Sequence, residues 1–214
     1  MSLNRIGLRA AQLVAMLAGL LLWGSLAHAQ TRIVALGDSE IRGKGVAEAD
    51  AYPAKLERAL KAKGHNVVVT NAGSNGDTTK GVLSRMDSAV PQGTRIVVLS
   101  VGGNDIILYG ADRATTITNL LAIISRLRAR NIEVLVFNLP VAGKHGKPSG
   151  DEQTRMRALG ALPTTPMQAG LVDDPKLHVE EVWRTGTEWH LNAAGYDRVV
   201  QRTLPLVEEL IRKP

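Results

Sequence analysis

Four short apolar runs, spaced by segments of helical periodicity, constrain this chain more than any other feature. They are Arg32-Ile33-Val34-Ala35-Leu36, Val67-Val68-Val69, residues 95–101 and residues 132–139. Each is rich in β-branched and aliphatic side chains, and glycine, asparagine or proline stops it. The runs are near-continuous rather than alternating, so both faces of each strand need cover. That is the pattern of a parallel sheet with helices on both sides. The intervening segments supply those helices: Leu56, Ala59 and Leu60; Val82, Leu83, Met86 and Val90; and Ile117, Leu120, Leu121, Ile124 and Leu127 recur at helical spacing. Asp50 with the early Pro53 predicts a capped start for the first helix and Gly64 its end, while Thr78 opens the second. The expectation is an α/β fold: a three-layer α/β/α sandwich around a doubly wound parallel sheet of about five strands.

Residues 141–186 break this rhythm. A helix is expected over 151–159 and a short fifth strand over 169–172, with Pro163, Pro166 and Pro175 interrupting the rest. From Asn192 the pattern is helical again, with Val199, Val200, Leu206 and Leu210 inward and Pro205 expected to kink or split the helix.

The first 29 residues stand apart. Arg5 and Arg9 precede an apolar run over 10–22, and Ala27-His28-Ala29 has the small-x-small form of a cleavage site. The run is too short to span a bilayer, so residues 1–29 read as a secretory signal peptide and residues 30–214 as one domain. An exported protein, periplasmic or secreted, is expected, with no stable membrane anchor once the leader is cut. The chain has no cysteine, which excludes disulfides and thiol catalysis. Its net charge of +6 comes from basic residues scattered over helices without interleaved aromatics, a solvated surface rather than a nucleic-acid interface. The sequence carries no signal for oligomeric state.

Three polar, glycine-bearing turns follow three successive strands and are expected at one sheet edge: Gly37-Asp38-Ser39, residues 71–77, and Gly102-Gly103-Asn104-Asp105. Open α/β sheets bind ligands at that edge. Alone, Gly-Asp-Ser is an ordinary turn tripeptide. With His190 just before the last helix, however, the set contains what acyl transfer needs. Ser39 is a nucleophile and His190 a base, while the Gly76 amide and the Asn104 side-chain amide are donors for an oxyanion.

These four blocks resemble those of the SGNH hydrolases, or GDSL esterase/lipase family, and are most similar to its thioesterase/lysophospholipase branch. The resemblance implies a flavodoxin-like fold, Ser39 as nucleophile with its amide as a donor, Gly76 and Asn104 as further donors, and His190 as base. It implies no cofactor and no metal. Its substrates would be small-molecule acyl esters or thioesters, with lysophospholipids, aryl esters and O-acetylated sugars in range. Two positions depart from the family pattern. Glu40 follows the serine where the family name records leucine, a site expected to lie outside the chemistry. The family acid precedes the histidine by three residues, where this chain has Thr187; the nearest carboxylate is Glu188. The Thr187 hydroxyl, the Glu188 carboxylate and a main-chain carbonyl therefore all stand as groups that orient His190. Asp38 and Asp105 read as braces of their own turns.

Other readings were weighed. A catalytically impaired binding module for acylated ligands or glycans would need only the pocket, not all four groups. A two-metal phosphoesterase lacks the Asp-x-His and His-x-His pairs it would draw on. Gly43-Lys44-Gly45 lacks the spacing of a phosphate loop. His65, His145 and His178 sit in loops or at a strand start and read as surface residues. Trp183 and Trp189 suit either an acyl pocket or packing beneath the last loop.

Overall fold

A computed structural model describes residues 30–137, 139, 150–179 and 190–214. Five strands form one parallel sheet: β1 (Thr31–Gly37), β2 (Val67–Gly73), β3 (Thr94–Ser100), β4 (Glu133–Phe137) and β5 (Leu162–Thr164), in the order β2-β1-β3-β4-β5. The helices are α1 (Ser39–Arg42), α2 (Tyr52–Ala62), α3 (Thr79–Ala89), α4 (Gly103–Ile107), α5 (Arg113–Ala129), α6 (Gly150–Ala158) and α7 (Ala193–Arg212).

The chain leaves β1 toward β2, then returns across β1 to reach β3. Crossovers of one hand running in opposite directions put their helices on opposite faces. Strand residues therefore alternate between two cores. Ile33, Ala35, Ile96, Val98, Leu135 and Phe137 pack against α2 and α7. Their neighbours Val34, Leu36, Val97, Leu99, Val134 and Val136 pack against α3, α5 and Met156 of α6. This is why the strands read as unbroken apolar runs. Full burial of each such side chain contributes about 1.5–3 kcal/mol, so a polar substitution on either face is costly. The reversal of strand order lies between β1 and β3, and the crevice at their carboxyl ends is where such sheets take ligands.

Several expectations need correction. The fifth strand is not at 169–172, which forms turns, but at Leu162–Thr164. Pro163 sits inside it, tolerated because among the described residues β5 pairs only with β4, at the edge of the sheet. Asp50 does not cap α2; the cap residue is Ala51, in extended conformation without a side-chain hydrogen bond, and Asp50 ends a one-turn 3-10 helix instead. The one-turn helix α1 follows directly on the turn after β1. Pro205 lies within α7, which runs through it as one helix. The leader over residues 1–29, His145, Trp183, Trp189, Thr187 and Glu188 lie outside the described residues.

Candidate active site

Gly37 ends β1 against β3 so closely that a Cβ there would fall 1.9 Å from the Ser100 carbonyl oxygen. Only glycine lets the chain turn at this point, and the Asp38 amide donates to the same carbonyl at 3.2 Å. Asp38 then caps α1. Its carboxylate accepts the Glu40 amide at 3.0 Å, not that of Ser39, one residue earlier. Ser39 is thus placed at the first position of α1, 9% exposed, just past the carboxyl end of β1. Burial, with the Glu40 charge next, raises the Asp38 carboxyl well above the usual carboxylate range.

The turn after β2 carries Gly76 in the left-handed region at φ 75°, with open space where a side chain would stand. Asp77 follows, accepting the Thr78 amide at 2.9 Å and Arg85 Nε at 2.7 Å. Arg85 Nη2 donates to the carbonyls of Gly37 and Ala72, each at 3.0 Å. One guanidinium on α3 therefore joins the ends of β1 and β2 to the Gly76 turn.

The turn after β3 is fastened to the same place. Asn104 Nδ2 donates to the Asp77 carbonyl at 2.8 Å. Asp105, 5% exposed, accepts the Thr79 amide at 2.9 Å and the Thr79 hydroxyl. Asp38 and Asp105 act as braces, as the sequence suggests, but Asp105 braces the start of α3 across to its own turn.

His190 arrives from elsewhere. An antiparallel bridge between His178 and Leu191, with the Val179 amide donating to the His190 carbonyl at 3.1 Å, fixes its main chain. Asn192 caps α7 by accepting the Gly195 amide at 3.1 Å, and its Nδ2 donates to the carbonyls of Lys176 and His178. The ring reaches across the edge, and Nε2 lies 2.8 Å from Ser39 Oγ. Ser39, Gly76, Asn104 and His190 are thus brought to one edge of the sheet. His65 and His178 are half-buried at the surface; the first pairs with Glu208 at 3.0 Å and the second with the Asp174 carbonyl at 3.0 Å.

Sequence reasoning missed two polar residues. Arg85 lies on an otherwise amphipathic helix and gave no signal. Glu40 did, as a departure from the family leucine, but its place beside the pair, half-buried, is a structural fact. Among the described residues, no group of three or more His, Asp or Glu could hold a metal ion.

The arrangement can be set beside known proteins. A family model for GDSL-like lipases/acylhydrolases matches residues 35–198. The chain is 32% identical over 121 residues to esterase TesA of Pseudomonas aeruginosa, covering 56% of this chain and 59% of that one. It is 30% identical over 125 residues to an arylesterase of Vibrio mimicus, covering 58% and 62%. The matched stretch is therefore less than two thirds of the length of either relative. AlinE4, an SGNH-hydrolase family esterase, superposes with a TM-score of 0.63 at 28% identity, over 86% of this chain and 98% of that one. The flavodoxin-like SGNH fold expected from the four blocks is the fold observed. Because the family match runs from within β1 to beyond His190, it takes in every turn that builds the site. This chain belongs to the GDSL-like lipase/acylhydrolase family.

Proposed function

We propose that the protein is a serine esterase, hydrolysing small acyl esters or thioesters through Ser39 and His190. The observation that carries this reading is the 2.8 Å contact between Ser39 Oγ and His190 Nε2 at a ligand-binding sheet edge. Ser39 Oγ attacks the acyl carbonyl as its proton passes to Nε2, and the imidazolium returns that proton to the departing alcohol or thiol. Water, activated by the same ring, then releases the acid.

The oxyanion would be held by the amides of Ser39 and Gly76 and by Asn104. Asn104 Nδ2 carries two hydrogens. One is directed to the Asp77 carbonyl, which fixes the amide plane, and the other serves the oxyanion. The Gly76 turn has open space on the side where a Cβ would stand, which suits close approach of substrate to its amide. The relatives named esterase TesA and arylesterase favour carboxylic esters, aryl esters among them. Export follows from the leader-like residues 1–29 and places the substrate outside the cytoplasm.

A fluorophosphonate probe tests the core of this reading. It should label wild-type protein at Ser39 alone, and Ser39→Ala should abolish both labelling and turnover of a short-chain p-nitrophenyl ester. Labelling of another serine, or a wild type that is folded but inert, would overturn it in favour of a binding module. The group orienting His190 is proposed to be neutral: a main-chain carbonyl, with or without Thr187. Glu188→Gln should then cost less than about tenfold in kcat/KM, against the roughly 10⁴-fold loss when an amide forces the wrong tautomer. A thousandfold loss with circular dichroism unchanged would make Glu188 the acid.

A further inference from the structure

One half-buried acid beside the pair has no part in the scheme above. Glu40 stands in the first turn of α1, adjacent to Ser39, and its two ends are held separately. Its main-chain carbonyl accepts the Tyr196 hydroxyl at 2.9 Å. Tyr196 lies in the first turn of α7, the helix that begins directly after His190 and its cap Asn192. The turn bearing the nucleophile and the helix following the base are thus tied through one residue.

The side chain of Glu40 points to the end of β3, where Oε2 accepts the Ser100 hydroxyl at 3.1 Å. Gln168, beyond β5, supplies a second hydrogen bond. Arg202 of α7 and the His190 ring, which meets the hydroxyl of the adjacent Ser39 at 2.8 Å, lie within electrostatic reach of this carboxylate. The Arg202 guanidinium is itself occupied by main-chain carbonyls, donating to Ala169 at 2.8 Å, Met167 at 2.7 Å and Pro166 at 3.0 Å. The remaining charged and titratable groups of the cluster are Asp38 on the same turn, Asp77 and Asp105 from the turns after β2 and at α4, and Tyr196.

Placing a carboxylate here is costly, because desolvation opposes its charge. An apolar side chain at this position would avoid that cost. What the acid adds is a negative charge held by fixed donors within electrostatic reach of the ring that becomes positive during the reaction.

We propose that Glu40 is a positioning residue of the Ser39–His190 pair, its carboxylate stabilising the imidazolium that forms as Ser39 loses its proton. The proposal rests on the esterase reading. No bond to Glu40 forms or breaks: the proton moves from Ser39 Oγ to His190 Nε2, and Glu40 supplies charge alone. Burial raises the Glu40 carboxyl above its ordinary value, opposed by the Ser100 hydroxyl, His190, Gln168 and Arg202. Its charge therefore arrives at a higher pH than that of a surface glutamate, and its loss on acidification removes help from the reaction.

The test is the pH profile of kcat/KM for a short-chain p-nitrophenyl ester, measured on the full chain over about pH 4–9. Wild type should descend on the acid side in two inflections. Glu40→Gln preserves the shape and an acceptor for Ser100; it should lower the plateau about tenfold, less than loss of an oxyanion donor, and leave one inflection. Glu40→Asp should restore the second inflection in part. Acid limbs of the same shape in wild type and Glu40→Gln would overturn the proposal, even if the variant were slower, because a packing role moves no inflection. Should Glu40→Gln fail to fold by circular dichroism, the wild-type profile decides alone, and a single inflection overturns it. Fluorophosphonate labelling separates the two readings. A wild type labelled at Ser39 and active, but with indifferent profiles, loses only the Glu40 role; one neither labelled nor active loses both.

Discussion

Ser39, Gly76 and Asn104 each follow a strand of the central sheet, whereas His190 follows none. The three turns on the nucleophile side rise from β1, β2 and β3, which are hydrogen-bonded neighbours, and are cross-tied through Arg85, Asp77, Thr79 and Asp105. Among the described residues, the histidine side rests on the His178–Leu191 bridge, the Asn192 cap with its bonds to the Lys176 and His178 carbonyls, the Tyr196–Glu40 tie and the packing of α7 against the sheet. The first half inherits its geometry from strand register, so the fold itself places its turns. The second is positioned from outside the sheet and depends on where a single helix docks. Acyl transfer uses the two differently: the oxyanion donors must be fixed before reaction, while the base has to give and take a proton.

The sharpest way to break this comparison is to remove the base. His190→Ala should lower kcat about 10⁴-fold or more, since nucleophile and base act as one unit and losing either costs nearly what losing both does. A double variant with Ser39→Ala should therefore be no worse than either single one; additive losses would mean the two do not work together. Next comes Asn104→Ala, expected to lower kcat about 10²–10³-fold with KM little changed, because its amide acts on charge that develops only in the transition state. A change confined to KM would reduce Asn104 to substrate binding.

Arg85→Met probes the cross-tie without touching substrate. Losing the guanidinium frees the ends of β1 and β2 and the Gly76 turn together, and misplacement on that scale costs up to about 10²-fold. The loss should fall on kcat, with Arg85→Lys restoring little because it cannot span three acceptors. The smallest effect expected is that of Asn192→Ala, about 1 kcal/mol of stability in urea titration, the usual value of an N-cap. If the histidine side is the more loosely held, this variant should also lose activity before it unfolds, whereas Arg85→Met should lose both in step.

The same contrast governs what could be read from the sequence. The nucleophile side was legible because doubly covered strands write unbroken apolar runs and end in glycine: Gly37, Gly73 and the pair Gly102-Gly103 mark three turns in order. The histidine was legible only as a motif, since nothing in residues 170–192 predicts that His178 and Leu191 would pair. The fifth strand was misplaced because Pro163 reads as a breaker, although an edge strand accepts it. The four-residue α1 is too short to show periodicity. Asp50 carries the right chemistry for a cap but sits one residue too early. Glu40, Arg85 and Arg202 owe their importance to partners far along the chain, and local pattern holds no trace of those.

One contact sets how late in folding the site is completed. Ser39 and His190 meet across 151 positions of sequence, and the meeting depends on α7 docking beside α2 over the sheet. Closing so long a loop, after parallel strands that themselves pair only through crossovers, belongs to the slow class of folding events. During synthesis the whole nucleophile side can form while His190 is still in the ribosome. On the proposed mechanism the serine becomes reactive only at the end, when the last helix settles, so a copy cut short before α7 would carry the oxyanion donors without the base.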